Sequence, residues 1–235
     1  MDHFLYKNGS LHAEDVALSE IAATVGTPFY CYSAATLTRH YQLFKDALAP
    51  MPNLVCFAIK SLSNVAVLKL LGDLGAGMDV VSGGEYLRAK AAGVPGDRIV
   101  FSGVGKTREE LAEALKEGIH QINVESLPEL DMLSSVAVEL GVQAPIAIRI
   151  NPDVDAETHG KIATGRKEDK FGIDYGHAGA AYAKAMALPG LKPVGIAVHI
   201  GSQLLKTTPF RKAFGKLAGL VRELQAQGVP LSRID

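Results

Sequence analysis

A chain of 235 residues with 48% apolar and 21% charged side chains has ordinary globular composition and can bury a sizeable core. Its 24 basic and 25 acidic side chains leave a formal charge of -1, which argues against nucleic-acid binding. No apolar run approaches the roughly 18 residues that cross a bilayer, so no membrane segment is expected. The N-terminus, MDHFLYKNGS, lacks the basic start and apolar core of a secretory signal. Two cysteines, Cys31 and Cys56, are too few for a disulfide framework, and the reading is two buried thiols in a cytoplasmic protein.

Residues 1–50 stand apart from the rest of the chain. Pro28–Tyr32 (PFYCY) reads as a strand, and Ser33 as the N-cap of a helix running to about Ala49. Nothing else in this stretch offers that strand a partner, so residues 1–32 are expected to pair with an absent C-terminal β domain. From LVCFAIK (54–60) onward, apolar β-branched runs alternate with helical stretches, the pattern of a parallel α/β fold. Strands are expected at 54–60, 77–82, 98–103, 121–126, 145–151 and 195–202. Helices are expected at 64–71, 84–92, 107–117, 128–140, 178–188 and from about 209 to 227. Gly93, Gly118, Gly141 and Gly228 each follow a helix as stop signals. The strands read as apolar almost throughout, as if buried on both faces.

That makes about six βα units, where a closed barrel of this type has eight. The closing residues, LSRID, read as a seventh strand cut short. A doubly wound open sheet normally carries a glycine-rich turn after its first strand, and here that turn is KSLSN, without glycine. The expected fold is therefore an incomplete (β/α)8 TIM-type barrel over residues 33–235, truncated on its C-terminal side.

Lys60 ends the first barrel strand, at the rim where barrel active sites lie, with Phe57, Ala58 and Ile59 behind it. It reads either as a desolvated amine nucleophile or as a strand-end lysine reaching water. His199, followed by Gly201 and Ser202, suits ring stacking or proton transfer beside a phosphate, or else is a satisfied core histidine. Arg149 inside an apolar strand needs a carboxylate or a ligand, with Asp79 and Glu125 as candidate partners. GVGKT (103–107) fails as a P-loop because Val100 stands where glycine is required. Gly75-Ala76-Gly77 fails as a dinucleotide turn because Val80 holds the third glycine position. The seven histidines show no metal-ligand spacing, and no metal is expected.

At FAIKS, GAGMDVVSGGE, FSGVGKT, INVES, RINPDVDAETHGKIATG, KFGI and HIGSQ the chain resembles the diaminopimelate decarboxylases. These are barrel-type pyridoxal 5'-phosphate enzymes, alongside ornithine decarboxylase and alanine racemase. The resemblance runs nearly end to end. It implies that Lys60 carries the cofactor and that His199 stacks on its ring, both as catalytic residues. It implies further that Asp79, Arg149 and Ser202 line the cofactor site and that Lys170, Phe171 and Gly172 form a substrate-side loop. The implied reaction converts meso-diaminopimelate to L-lysine and CO2, in a homodimer, with an amino acid as the small-molecule partner. A decarboxylase of a related basic amino acid, a racemase of the same barrel class and a non-catalytic cofactor carrier share these motifs. Residues 1–235 alone are expected to be inactive. One departure stands beside the lysine, where Leu62 replaces a polar amide common in the family.

Overall fold

The structure, a computed structural model, describes residues 3–154, 171–202 and 204–235. It opens with a small antiparallel sheet of β1 (Phe4–Lys7), β2 (Ser10–Ala13) and β3 (Val16–Ala17), then α1 (Leu18–Val25). Asn8 and Gly9 form the β1–β2 turn, both with positive φ (51° and 80°), as an Asn-Gly hairpin requires. The sequence reading does not foresee this sheet, and among the described residues it pairs only within itself, offering Pro28–Tyr32 no partner. Pro28–Tyr32 is extended and joins no sheet among the described residues, and Tyr30 within it is 91% exposed.

Ser33 caps α2 (Ala34–Leu48) as expected, its hydroxyl accepting from the Thr36 N–H at 3.0 Å. Glu14 in the β2–β3 turn accepts from the Ser33 hydroxyl at 2.7 Å and the Ala35 N–H at 2.9 Å. Those bonds fasten the small sheet to the start of α2.

The rest is the repeating unit. In order come β4 (Cys56–Ala58), α3 (Val65–Asp73), β5 (Gly77–Val80), α4 (Gly83–Ala91), β6 (Ile99–Phe101), α5 (Arg108–Lys116), β7 (Gln121–Val124) and α6 (Leu127–Leu140). After them stand β8 (Ala144–Asn151), a short β9 (Ile173–Asp174) alongside it, α7 (Ala178–Ala187), β10 (Leu191–Ala197), α8 (Thr208–Ala226) and β11 (Arg233–Ile234). The strands run parallel in the order β4-β5-β6-β7-β8-β10-β11, which is chain order. Among the described residues β4 and β11 do not pair with each other, so the sheet is an incomplete barrel with β11 as the expected seventh strand.

Side-chain alternation assigns the two faces of this sheet. Met78, Val80, Ile99, Phe101, Ile122, Val124, Ile146, Ile148, Ile150 and Ile196 are fully buried within one apolar core shared with the helices. The opposite face is polar: Asp79, Ser102, Gln121, Asn123 and Asp235 hydrogen-bond to one another there. The strands are thus not apolar throughout, and β7 alternates strictly as Gln121, Ile122, Asn123, Val124. The four expected stop glycines all adopt positive φ. β10 starts earlier than expected, at Leu191, because a register shift between Pro193 and Gly195 absorbs the proline that lacks an N–H. It ends at Ala197, leaving His199 just past the strand, at the rim. Cys31 and Cys56 are half-buried and unbridged, rather than fully buried.

Candidate active site

The rim is built by caps. After each of three successive strands a hydroxyl turns the chain into its helix: Ser82 accepts from the Glu85 N–H, Thr107 from Glu110 and Ser126 from Glu129. Glu110 also accepts from the Gly83 N–H at 2.6 Å, locking the α5 start against the α4 start. A Cβ on Gly83 would sit 2.9 Å from the Glu110 side chain, which would have to shift to admit it.

Lys60 comes after β4 in a single helical turn, Ile59–Ser61. Ile59 anchors the turn in the core with no exposure, and the Ser61 hydroxyl donates to the Ala58 carbonyl at 2.7 Å. The lysine itself is exposed, so the desolvation expected from its apolar neighbours is not supplied by this chain. Its charge still reaches into the site, acting on both the Asp79 carboxyl and the His199 imidazole. Leu62 packs against the apolar core.

Asp79 lies on the inner face of β5 and accepts from the Ser102 hydroxyl at 2.6 Å. The Asn123 amide donates to Ser102 at 3.0 Å and to Asp235 at 2.9 Å, and Gln121 donates to Asn123 and Asp235 at 2.9 and 3.2 Å. Burial pushes the Asp79 carboxyl up to about 6; the Asp235 carboxylate adds to this, while the Ser102 hydrogen bond and the Lys60 ammonium oppose it. Burial and the same two carboxylates, Asp235 and Asp79, raise the Cys56 thiol to about 12, leaving it inert as a nucleophile.

Arg149 on β8 finds the partner the sequence suggested in Glu125, and not in Asp79. One terminal nitrogen of its guanidinium donates to both carboxylate oxygens of Glu125, at 3.0 and 2.9 Å. The Phe171 ring lies 5.9 Å from the Arg149 guanidinium carbon, and Gly172 passes so close that a Cβ would meet the Arg149 carbonyl at 3.1 Å. Lys170 lies outside the described residues. The Arg149 Nε is buried without a hydrogen-bond partner, a donor left over inside the site. Burial first, then the Arg149 and Lys60 charges, hold His199 below the usual imidazole range, with Glu125 opposing. Ser202 is exposed on the loop after His199.

Lys60, Asp79, Arg149 and His199 thus stand at the C-terminal ends of four different strands and share one electrostatic neighbourhood. Sequence reasoning missed Ser102, Asn123, Gln121 and Asp235; the period-2 polar positions in QINVE were the signal. Among the described residues no group of three or more His, Cys, Asp and Glu could hold a metal. A primary amine, an imidazole, a fixed guanidinium with a spare buried donor and a carboxyl together suit a small anionic aldehyde cofactor, and pyridoxal phosphate fits that donor set.

Raising the Asp79 pKa makes its contribution to stability fully present below the ordinary carboxylate value and lost as pH rises through about 6. Asp79→Asn keeps the acceptor for Ser102 and removes the titration. The variant is expected to match the parent at about pH 4 and to exceed it by about 1–3 kcal/mol near pH 7.5. Denaturant melts of the full-length protein at both pH values check this, and an equal difference at both contradicts it.

A parallel α/β barrel sheet presenting a lysine, a histidine, an arginine and an aspartate at its C-terminal rim defines a cofactor-binding enzyme domain. The chain belongs to the pyridoxal-dependent decarboxylase family, whose pyridoxal binding domain matches residues 34–235. A diaminopimelate decarboxylase of Pseudomonas aeruginosa is 52% identical over 235 residues, covering 100% of this chain and 57% of that protein. One from Haemophilus influenzae is 46% identical over 235 residues, again 100% of this chain and 57% of the relative. The crystal structure of diaminopimelate decarboxylase from Helicobacter pylori complexed with L-lysine has a TM-score of 0.89 at 42% identity, over 93% of this chain and 55% of that one. The chain spans a little more than half the length of these relatives.

Proposed function

We propose that this chain is the cofactor-lysine part of a diaminopimelate decarboxylase, which converts meso-diaminopimelate to L-lysine and CO2. The convergence of Lys60, Asp79, Arg149 and His199 on one rim carries the reading, supported by 52% identity to a named relative across the whole chain. When bound, pyridoxal phosphate supplies the electron sink for the pair of electrons released as the carbon–carboxyl bond breaks. Lys60 would hold the cofactor through its side-chain amine. His199 would cover the cofactor ring, its proton affinity lowered by burial and by the Arg149 and Lys60 charges. Asp79 stands beside the lysine with a carboxyl able to hold or release a proton near neutral pH. Arg149 supplies a fixed charge and Ser202 a hydroxyl for the phosphate. Phe171 and Gly172 would bound the substrate side, with Lys170, outside the described residues, assigned to the same loop by the resemblance alone.

In the same proposal residues 33–235 form the cofactor-binding barrel portion and residues 1–32 pack on the remainder of the protein. The extended, outward Tyr30 and Tyr32, with rings stacked at 6.5 Å, support such a docking strand. The full-length protein acts as a cytoplasmic homodimer with a free amino acid as substrate. Residues 1–235 alone are inactive, because β4 and β11 leave the barrel open.

The deciding experiment is release of labelled CO2 from meso-diaminopimelate by the full-length protein with added pyridoxal phosphate. Steady release with L-lysine as product supports the proposal. Cofactor binding without release would make the protein a carrier, and exchange at the α-carbon without release a racemase.

A further inference from the structure

The GVGKT segment does not match a P-loop, and its lysine has another employment. The Lys106 side chain is 1% exposed, and its ammonium donates to the Gly103 carbonyl at 2.5 Å, the Asn123 carbonyl at 2.7 Å and Glu129 Oε1 at 2.7 Å. Three donors meet three acceptors, so none remains for a phosphate. Glu129, with a side chain 8% exposed, uses its other oxygen to accept from the Glu125 N–H at 2.9 Å. The Glu125 carboxylate, 2% exposed, accepts from the Gly103 N–H at 2.9 Å and from Arg149. Glu125 is therefore pinned twice, at its backbone by Glu129 and at its carboxylate by Gly103, and Lys106 holds both of those anchors.

We propose that Lys106 and Glu129 are positioning residues of the active site: a buried ion pair that fixes Glu125 and, through it, aligns the Arg149 guanidinium beside His199. This rests on the reading of the rim as the cofactor site. Stability alone gives little reason for such a pair, because well-packed apolar residues of similar volume commonly do as well or better. What an apolar pair lacks is the hydrogen bond to the Glu125 N–H and the tie to the loop that carries Gly103. Three charged groups act on His199 from the elements around it: Arg149 from β8, Lys60 from the turn after β4 and Glu125 from the end of β7. Any slackening of Glu125 shifts Arg149, and His199 reports the shift through its own proton affinity.

The test is an NMR titration of ring-labelled histidine in the full-length protein, with the His199 resonance assigned by its loss in His199→Gln. Arg149→Met sets the scale and is expected to raise the His199 midpoint. Glu129→Gln and Lys106→Met are expected to raise it in the same direction and by a comparable amount. Lys90→Met, which breaks an exposed ion pair with Glu117, is expected to leave it unchanged. The acid limb of the kcat/KM profile should move up in the same variants, with kcat/KM lower by about 10- to 100-fold. The double variant Lys106→Met/Glu129→Leu keeps an apolar fill where single variants do not fold, and it too should shift His199.

A folded Glu129→Gln with the parental His199 midpoint overturns the proposal, as does an Arg149→Met that leaves His199 unmoved. If all three variants of the pair fail to fold, the role is structural and the proposal falls. The titration needs neither cofactor nor turnover. An inactive protein with a shifted His199 therefore sinks the decarboxylase reading alone, and an active one with an unshifted His199 sinks the relay alone.

Discussion

Replacing Lys60 by alanine in the full-length protein is expected to abolish the visible absorbance gained on adding pyridoxal phosphate and to lower CO2 release by at least about 10³-fold. The same substitution should change folding stability by less than about 0.5 kcal/mol, since the side chain is exposed. The two halves of that expectation come from one local design. Ile59 is buried completely and Ser61 hydrogen-bonds the Ala58 carbonyl, so the backbone of the turn is fixed on both sides of the lysine. The amine itself, whose charge reaches Asp79 and His199, is left exposed by this chain, as the proposed role of cofactor residue requires. Lys60→Arg is expected to fail equally, because a guanidinium keeps its proton at any working pH and cannot serve as the attacking amine. Retained absorbance and turnover in Lys60→Ala, in protein with an unchanged melt, would falsify the assignment of Lys60 as the cofactor residue.

Much of this arrangement is legible in the sequence, for physical reasons that also explain where legibility stops. The parallel strands are short β-branched runs between glycine-stopped helices, and Ser33, Ser82, Thr107 and Ser126 mark helix starts through local geometry spanning three residues. Lys60 and His199 are exposed to view because they come directly after strands. The partnership of Arg149 with Glu125 is foreseeable as one of two pairings, and only the register of β7 against β8 selects it. The polar string inside the sheet is a different matter. Asn123 and Asp235 are 112 positions apart, and their hydrogen bond depends on β11 lying beside β10 while β7 faces it across the sheet. No local pattern encodes that. The N-terminal sheet carries a strong hairpin signal in Asn8-Gly9, yet its strands are only two to four residues long, which hides them. Lys106 misleads in the opposite way, since a nearly matching phosphate motif draws attention to its neighbours rather than to the carboxylate it meets.

Glu125→Ala is the substitution expected to cost most in stability, about 3–5 kcal/mol, or a melting temperature lower by roughly 10 °C. The loss does not measure the attraction between Glu125 and Arg149. It arises because Arg149, with a side chain 13% exposed and an Nε already lacking a partner, would keep a buried charge with no other carboxylate paired to it among the described residues. The Gly103 N–H would lose its acceptor as well. Glu125→Gln keeps one acceptor oxygen for Gly103 or Arg149 and is expected to cost less. Removing both charges in Glu125→Ala/Arg149→Met should recover a large part of the stability while leaving the protein inactive, because the proposed role puts the guanidinium beside His199 while folding does not require the charge pair as such. In a double-mutant cycle the coupling between the two sites should then be well above about 1 kcal/mol. Strictly additive losses would mean that Arg149 finds another counter-charge, and the rim would have to be redrawn around that group.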